Sequence, residues 1–200
     1  VSYVRPGEDP VGSDTVYVSC VDGQGNACSL INSLFEIFGT GLVVPGTGIA
    51  LQNRGSLFSL DPDHPNALKP GKRPYHTIIP GLATKDNELY LCYGVMGAFM
   101  QPQGHLQVIS NLVDHGMDAQ AALNALRFIV TEADVSLEEG ISPQVLADLD
   151  NRGHNTKMIS SYYRGMSGGM GGAQLIQRDP GTGVLHGASE PRKDGCAIGW

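Results

Sequence analysis

The feature that most constrains this chain is TVYVSCV at residues 15–21, followed by DGQGN at 22–26 and ACSLINS at 27–33. β-Branched and aromatic residues favour strands, and the Asp-Gly and Gly-Asn pairs between them reverse the chain tightly, so this stretch predicts an antiparallel hairpin. HTIIPGLA (76–83) and ELYLCYGVMG (88–97), separated by Lys85-Asp-Asn, predict a second hairpin. GAQLIQR (172–178) and VLHGASE (184–190) predict a third about the turn at 179–183. Helix signals lie between the second and third hairpins. After Gln101-Pro102, residues Leu106, Ile109, Leu112 and Val113 recur at helical spacing up to a stop at Gly116. Asp118 caps DAQAALNALRF, with Ala119, Ala122, Leu123 and Leu126 on its apolar face. Ser142-Pro143 opens a third helix with Val145, Leu146 and Leu149 inward and Gly153 ending it. Helices that come as a block, not in alternation with strands, point to an α+β layered fold and away from a doubly wound sheet.

The remaining segments read as loops and short extended pieces. GTGLVVPGTG (39–48) is a glycine loop with one extended stretch, and Ile49–Gln52 is a candidate strand. Residues 53–74 are polar and punctuated by Pro and Gly, the composition of a surface loop crossing a cleft. Glycines 168–172 (interrupted by Met170) read as a flexible loop, and DGCAIGW (194–200) as a segment tied into the sheet. VSYVRPGEDPVGSD (1–14) has neither the basic region nor the apolar core of a signal peptide, and reads as a linker or the tail of preceding sequence. The compartment stays undetermined.

Composition narrows the function. Twenty acidic residues against 13 Lys plus Arg give a formal charge of −7, which argues against a broad nucleic-acid or anionic-membrane footprint. The apolar runs fall well short of the roughly 18 residues a membrane span requires. Two hundred residues suffice to bury a core without metal or disulfides. Cys20, Cys28, Cys92 and Cys196 form no CxxC and have no His at ligand spacing, so they read as buried free thiols. A single bridge between Cys20 and Cys28 stays open. The Gly-Thr-Gly triplets lack a following GK[ST], His105 and His115 lack partners at metal spacing, and Lys69, Lys72 and Arg73 read as a solvated face. No metal and no organic cofactor are expected.

Thr15, at the head of the first strand, is the candidate nucleophile. A threonine hydroxyl needs an adjacent base; were Thr15 a chain terminus, its own α-amine, with a pKa of about 7.7–8.0, would serve. SDTVYVSCVDGQGNACSLINS, FGTG, LQNRG, KPGKRPYHTIIP, GVMGAFMQPQGH and GASEPRKDG together resemble the gamma-glutamyltranspeptidase family, most of all its acylase and oxamate-amidohydrolase branch. The resemblance runs from Thr15 to the C-terminus and is to the small subunit of these N-terminal nucleophile hydrolases. It implies a four-layer αββα sandwich whose two antiparallel sheets are shared with a large subunit from the same precursor. Residues 1–14 would then be the tail of that large subunit and 15–200 the catalytic small-subunit domain.

The resemblance also implies self-cleavage between Asp14 and Thr15, with Thr15 as nucleophile and its freed amine as base. Ser33 would help orient that terminus, and the consecutive N–H groups of Gly97 and Ala98 would hold the oxyanion. Where family members that bind a glutamyl donor carry an Asn, a Gln, an Asp and two serines, this chain has Phe35, Arg54, Leu57, His76 and Thr77. Leu57 cannot pair with an ammonium group and Phe35 offers no amide. Arg54 could instead clamp a carboxylate bidentately, with His76 and Thr77 as polar contacts. The expected activity is hydrolysis of a small carboxylate-bearing amide through an acyl-enzyme. The alternatives are γ-glutamyl transfer with glutathione hydrolysis, and an unprocessed, non-enzymatic member. Neither nucleic acid nor membrane is an expected partner, a dimer of heterodimers is admissible, and Arg192, Lys193 and Asp194 read as structural.

Overall fold

The computed structural model describes residues 13–160 and 169–200; the segment 1–12 and Gly168 of the glycine loop lie outside the described residues. Strands β1 (Ser13–Val21) and β2 (Ala27–Glu36) pair antiparallel as the first hairpin. Asp22 closes its turn by accepting the N–H groups of Gln24 and Asn26, both at 2.9 Å, and these bonds with the Asn26 amide hold its carboxyl below the usual range.

A four-stranded antiparallel sheet follows, in the order β3 (Gly81–Lys85), β4 (Glu88–Met96), β8 (Gly172–Arg178), β9 (Leu185–Ser189). Helices α1 (Met100–Val113) and α2 (Ala119–Asn124) cover one face. There Leu91 and Val95 of β4 bury against Val108, Leu112, Ala122 and Leu123, each large apolar side chain contributing on the order of 1.5–3 kcal/mol. Alternation along β4 turns Cys92 and Gly94 to the other face, where the hairpin lies: the Tyr17 hydroxyl meets Cys92 Sγ at 3.7 Å, and Ser29 Oγ donates to the Tyr93 carbonyl at 3.3 Å. The layers therefore run hairpin, sheet, helices. The hairpin's outer face carries Val16, Val18 and Leu30, each about half exposed. No helix among the described residues is long and apolar enough to cross a membrane.

Several expectations from the sequence need correction. Helix α1 begins two residues before Pro102, because the first-turn N–H groups have no helical acceptor and a proline there loses nothing. The segment after Asp118 stays helical only to Asn124, and Leu126 is exposed. The chain then enters a further three-stranded sheet: β5 (Phe128–Val130), β6 (Val135–Glu138) and β7 (Thr156–Ile159). Strands β6 and β7 run parallel with α3 (Pro143–Asn151) between them, so the helices do not form one block. Two glutamines one turn apart on α1 serve β5 as a surrogate strand: Gln103 bonds both backbone groups of Val130, and Gln107 both those of Phe128. On α3, Val145 is exposed and Leu146 and Leu149 are only half-buried. Ile49–Gln52 makes one isolated bridge, Ala50 with Val43, and HTIIP carries no strand. Asp194–Trp200 is not in the sheet; Ile198 and Trp200 are exposed. All four thiols are free, but only Cys92 is buried.

One buried ion quartet ties the distant parts together. Arg127 Nη2 meets Glu190 at 2.8 Å; Arg192 meets Glu190 at 2.7 Å and Glu138 at 2.5 and 2.7 Å. Burial works against the Arg192 charge, but the two carboxylates outweigh it and raise its pKa. Most spare donors and acceptors are used too: Glu138 accepts from Arg127 N, Glu190 from Ala173 N, and Arg127 Nη1 donates to the Met170 carbonyl, while Arg127 Nε has no partner among the described residues. Removing one partner of such a group strands the others. Glu138→Ala is expected to cost about 3–5 kcal/mol, read as a fall in the denaturation midpoint of the intact protein.

Candidate active site

The hairpin register places Thr15 opposite Ser33, and their hydroxyl oxygens lie 2.8 Å apart. The ladder is irregular at one step, between Asp14 and Thr15, where the register shifts. Opposite the shift, Phe35 adopts φ 79°, a left-handed conformation that its side chain disfavours. Two local bonds support it: Phe35 N donates to Ser33 Oγ at 3.0 Å, and Glu36 N donates to Asn53 Oδ1 at 3.1 Å. Asn53 also donates its own N–H to the Leu34 carbonyl, which stitches the end of β2 to the next turn.

That turn, a short 3₁₀ segment at Arg54–Leu57, delivers Arg54 to the hydroxyl pair. Arg54 is buried, at 6% exposure. Its Nη2 donates to Ser33 Oγ at 3.1 Å and its Nε to Thr77 Oγ1 at 2.7 Å, while the guanidinium sits 5.5 Å from the centroid of the Phe35 ring. Burial lowers its pKa. Among the described residues no carboxylate lies within ion-pair distance of it.

Thr77 is buried and links this cluster to the start of α1. Its carbonyl accepts from Gln101 Nε2 at 2.5 Å, and Gln101 Oε1 accepts from Ile79 N at 3.2 Å. Gln101 N in turn donates to the Ala98 carbonyl at 3.2 Å. Gly97 (φ 132°) and Ala98 (φ 51°) thus form the connection from β4 into α1. Among the described residues neither of their N–H groups donates to a backbone acceptor, and both lie at the positive end of the α1 dipole.

The structure therefore joins Thr15, Ser33, Arg54 and Thr77 in one hydrogen-bonded chain, sets Phe35 against it, and connects it through Gln101 to Ala98. It does not bring in every expected residue. His76 is exposed, and Leu57 is half-buried and gives its carbonyl to Asn66. The sequence does not single out Gln101, and in it His105 reads only as a histidine without metal partners. His105 Nε2 accepts the Val95 N–H at 3.1 Å on the edge of β4 that β3 no longer covers, and its ring stands edge-on to Tyr93 at 5.3 Å. The imidazole is thus neutral with its proton on Nδ1, and burial pushes its pKa down to about 4. Among the described residues no group of three or more His, Cys, Asp or Glu could hold a metal ion.

This α+β core of stacked sheets and helices is the architecture of an N-terminal nucleophile hydrolase, as the solved structures it matches show. The family model "Gamma-glutamyltranspeptidase" matches residues 2–200. The oxamate amidohydrolase proenzyme of Klebsiella pneumoniae is 37% identical over 193 residues, 94% of this chain and 36% of its own length. A crystal structure of cephalosporin acylase from Bacillus halodurans superposes with a TM-score of 0.85 at 49% identity, over 92% of this chain and 34% of that one. Gamma-glutamyltranspeptidase from Pseudomonas nitroreducens, complexed with L-DON, gives 0.79 at 26% identity over 92% of this chain and 98% of the matched chain. The chain belongs to the gamma-glutamyltranspeptidase family. It spans about a third of the length of the curated relatives it matches (36% for the first two).

Two measurements check this geometry. His105 stays neutral in the fold while the unfolded chain protonates near 6.5, so stability should fall as pH drops from about 6.5 to about 4 and gain no further loss from this group below that. His105→Gln should remove that part of the pH slope in chemical denaturation. Ala98→Gly should relieve a left-handed alanine at about 1–2 kcal/mol, offset by about 0.4–1 kcal/mol of unfolded-state entropy and about 0.8 kcal/mol for the lost buried methyl, so the denaturation midpoint should stay close to that of the wild type.

Proposed function

We propose that this chain is the catalytic part of an amide hydrolase with Thr15 as nucleophile, activated by cleavage of the Asp14–Thr15 bond. The observation that carries the reading is the 2.8 Å contact of Thr15 Oγ1 with Ser33 Oγ, at the one irregular step of the hairpin ladder. The extra residue at that step is Leu34 of β2, since Asp14 pairs with Phe35 and Thr15 with Ser33, and such a bulge re-aims the neighbouring side chains at the step proposed for cleavage. With that bond intact the Thr15 nitrogen is an amide and no base. Once it is cleaved, the α-amine accepts the hydroxyl proton as Oγ1 adds to the substrate carbonyl carbon. The N–H groups of Gly97 and Ala98 face the developing oxyanion at the head of α1. The C–N bond breaks, ammonia or an amine leaves with the proton, and water hydrolyses the ester to regenerate Thr15.

The substrate side favours a small amide bearing a carboxylate. Arg54 is a buried cation with no acidic partner among the described residues. Two of its five N–H groups are taken by Thr77 and Ser33, which leaves three for an anion. Phe35 and Leu57 give an α-ammonium group neither amide nor carboxylate, which weighs against a γ-glutamyl donor. Relatives three times as long support a large subunit from the same precursor. Its helices would cover Val16, Val18 and Leu30 and supply the missing outer layer.

In the full natural polypeptide, mass spectrometry should find a chain beginning at Thr15, and Thr15→Ala should abolish both that product and amide hydrolysis. Oxamate and other short acyl amides with a carboxylate should turn over faster than γ-glutamyl amides. A protein that never yields the Thr15 chain is the non-enzymatic alternative, and one that cleaves only γ-glutamyl amides is a glutathione hydrolase.

A further inference from the structure

Ser33 Oγ carries two lone pairs and one proton. The N–H of Phe35 donates to it at 3.0 Å and Arg54 Nη2 at 3.1 Å; its third neighbour is Thr15 Oγ1 at 2.8 Å. A hydroxyl that accepts two bonds has only its proton left to give. Ser33 is therefore the donor of the pair and Thr15 Oγ1 the acceptor. That direction suits a nucleophile: the Thr15 proton points away from Ser33, and the oxygen that gains negative charge as it leaves already holds a donor. Without Arg54, Ser33 regains a free lone pair and either hydroxyl can donate to the other.

Arg54 is itself fixed. Its Nε is tied to Thr77, its plane lies by the Phe35 ring, and the Thr77 carbonyl is held by Gln101 from α1. The same guanidinium that would meet a substrate carboxylate is thus built into the hydroxyl pair.

We propose that Arg54 is a positioning residue for Thr15, acting through Ser33 to set the direction of the Ser33–Thr15 hydrogen bond both in self-cleavage and in amide hydrolysis. The proposal rests on the reading of Thr15 as nucleophile. In self-cleavage the Thr15 Oγ1–Asp14 C bond forms, the Asp14 C–Thr15 N bond breaks, and the hydroxyl proton ends on the new amine. Water then hydrolyses the ester to an Asp14 carboxylate and the Thr15 hydroxyl. No substrate carboxylate takes part, so self-cleavage separates positioning from substrate clamping.

The test follows formation of the Thr15-initiated chain by intact mass in the full natural polypeptide, for wild type, Arg54→Ala, Arg54→Lys, Ser33→Ala and the Arg54→Ala/Ser33→Ala pair. Loss of a charged donor should slow Arg54→Ala at least about tenfold, with Arg54→Lys in between. In the Ser33→Ala background the Arg54→Ala change should add less than about twofold, because its route is already removed. The proposal is overturned if Arg54→Ala, at wild-type melting temperature, self-cleaves at the wild-type rate. It is equally overturned if that change slows Ser33→Ala as much as it slows wild type. Should Arg54→Ala lose its melting transition, Arg54→Lys with and without Ser33→Ala is judged by the same two criteria. A wild type that never releases the Thr15 chain removes the nucleophile reading and this inference with it. Wild-type cleavage with normal Arg54→Ala cleavage removes the inference alone.

Discussion

The close approach of Tyr17 to Gly94 sets the rest of the architecture. A Cβ on Gly94 would stand 2.4 Å from the Tyr17 ring, so the hairpin and the four-stranded sheet meet with no side chain between them at that point. The ring is anchored at its far end, where the hydroxyl bonds Ser29 Oγ at 2.8 Å and burial raises the phenol pKa above its ordinary value. Thr15 lies two residues along β1 on the same face. The contact therefore fixes where Thr15 stands relative to β4, whose next residues are Gly97 and Ala98. On the opposite face Gly104 does the same for α1, since a Cβ there would meet Val95 at 2.7 Å. One strand is gripped on both sides, and its exit is determined by both grips.

Backbone strain is distributed unevenly around that strand. Asp86 and Asn87 are left-handed in the β3–β4 turn, a conformation that short polar residues tolerate and hairpin turns favour. Phe35 and Ala98 are left-handed with no such excuse. Both sit at the cluster, and each is flanked by hydrogen bonds that hold it there: Ser33 to Phe35, and Gln101 to Ala98. Phe38, at φ 61° in the exposed turn after β2, is left-handed too, so such strain is not confined to the cluster; Phe35 and Ala98 differ in being held by bonds to Ser33 and Gln101.

The hairpins at 13–36 and 172–189, the caps at Asp118 and Ser142, and the stacked α+β character were legible because each rests on local chemistry: turn residues, capping side chains and two-residue alternation. Strands β5, β6 and β7 were not, because three or four residues cannot display alternation, and part of their pairing comes from Gln103 and Gln107. Val145 was placed inward from a helical period that α3 satisfies without a core to face. At the cluster, the residues themselves could be picked out, but not their bonds. Arg54 reads from sequence as a clamp on a ligand, and only the fold reveals that it also holds Ser33 and Thr77. Nothing in the sequence distinguishes Gln101 from any other glutamine near a helix start.

Two ways of burying arginine coexist in this chain, and their contrast bears on what the cluster is for. Arg127 and Arg192 lie among Glu138 and Glu190, so two cations and two carboxylates neutralise one another and hold four separate segments in register. Arg54 is nearly as buried, yet its neighbours are two hydroxyls and an aromatic ring, none of which carries a full negative charge. Dipoles and a ring face offset the desolvation of a guanidinium only in part, which is why burial still lowers its pKa. An anion arriving there would gain from a field that no side chain of the described residues already satisfies. The same field extends through Ser33 to Thr15 Oγ1, so in the proposed reaction charge bound at Arg54 and charge developing on that oxygen are physically coupled.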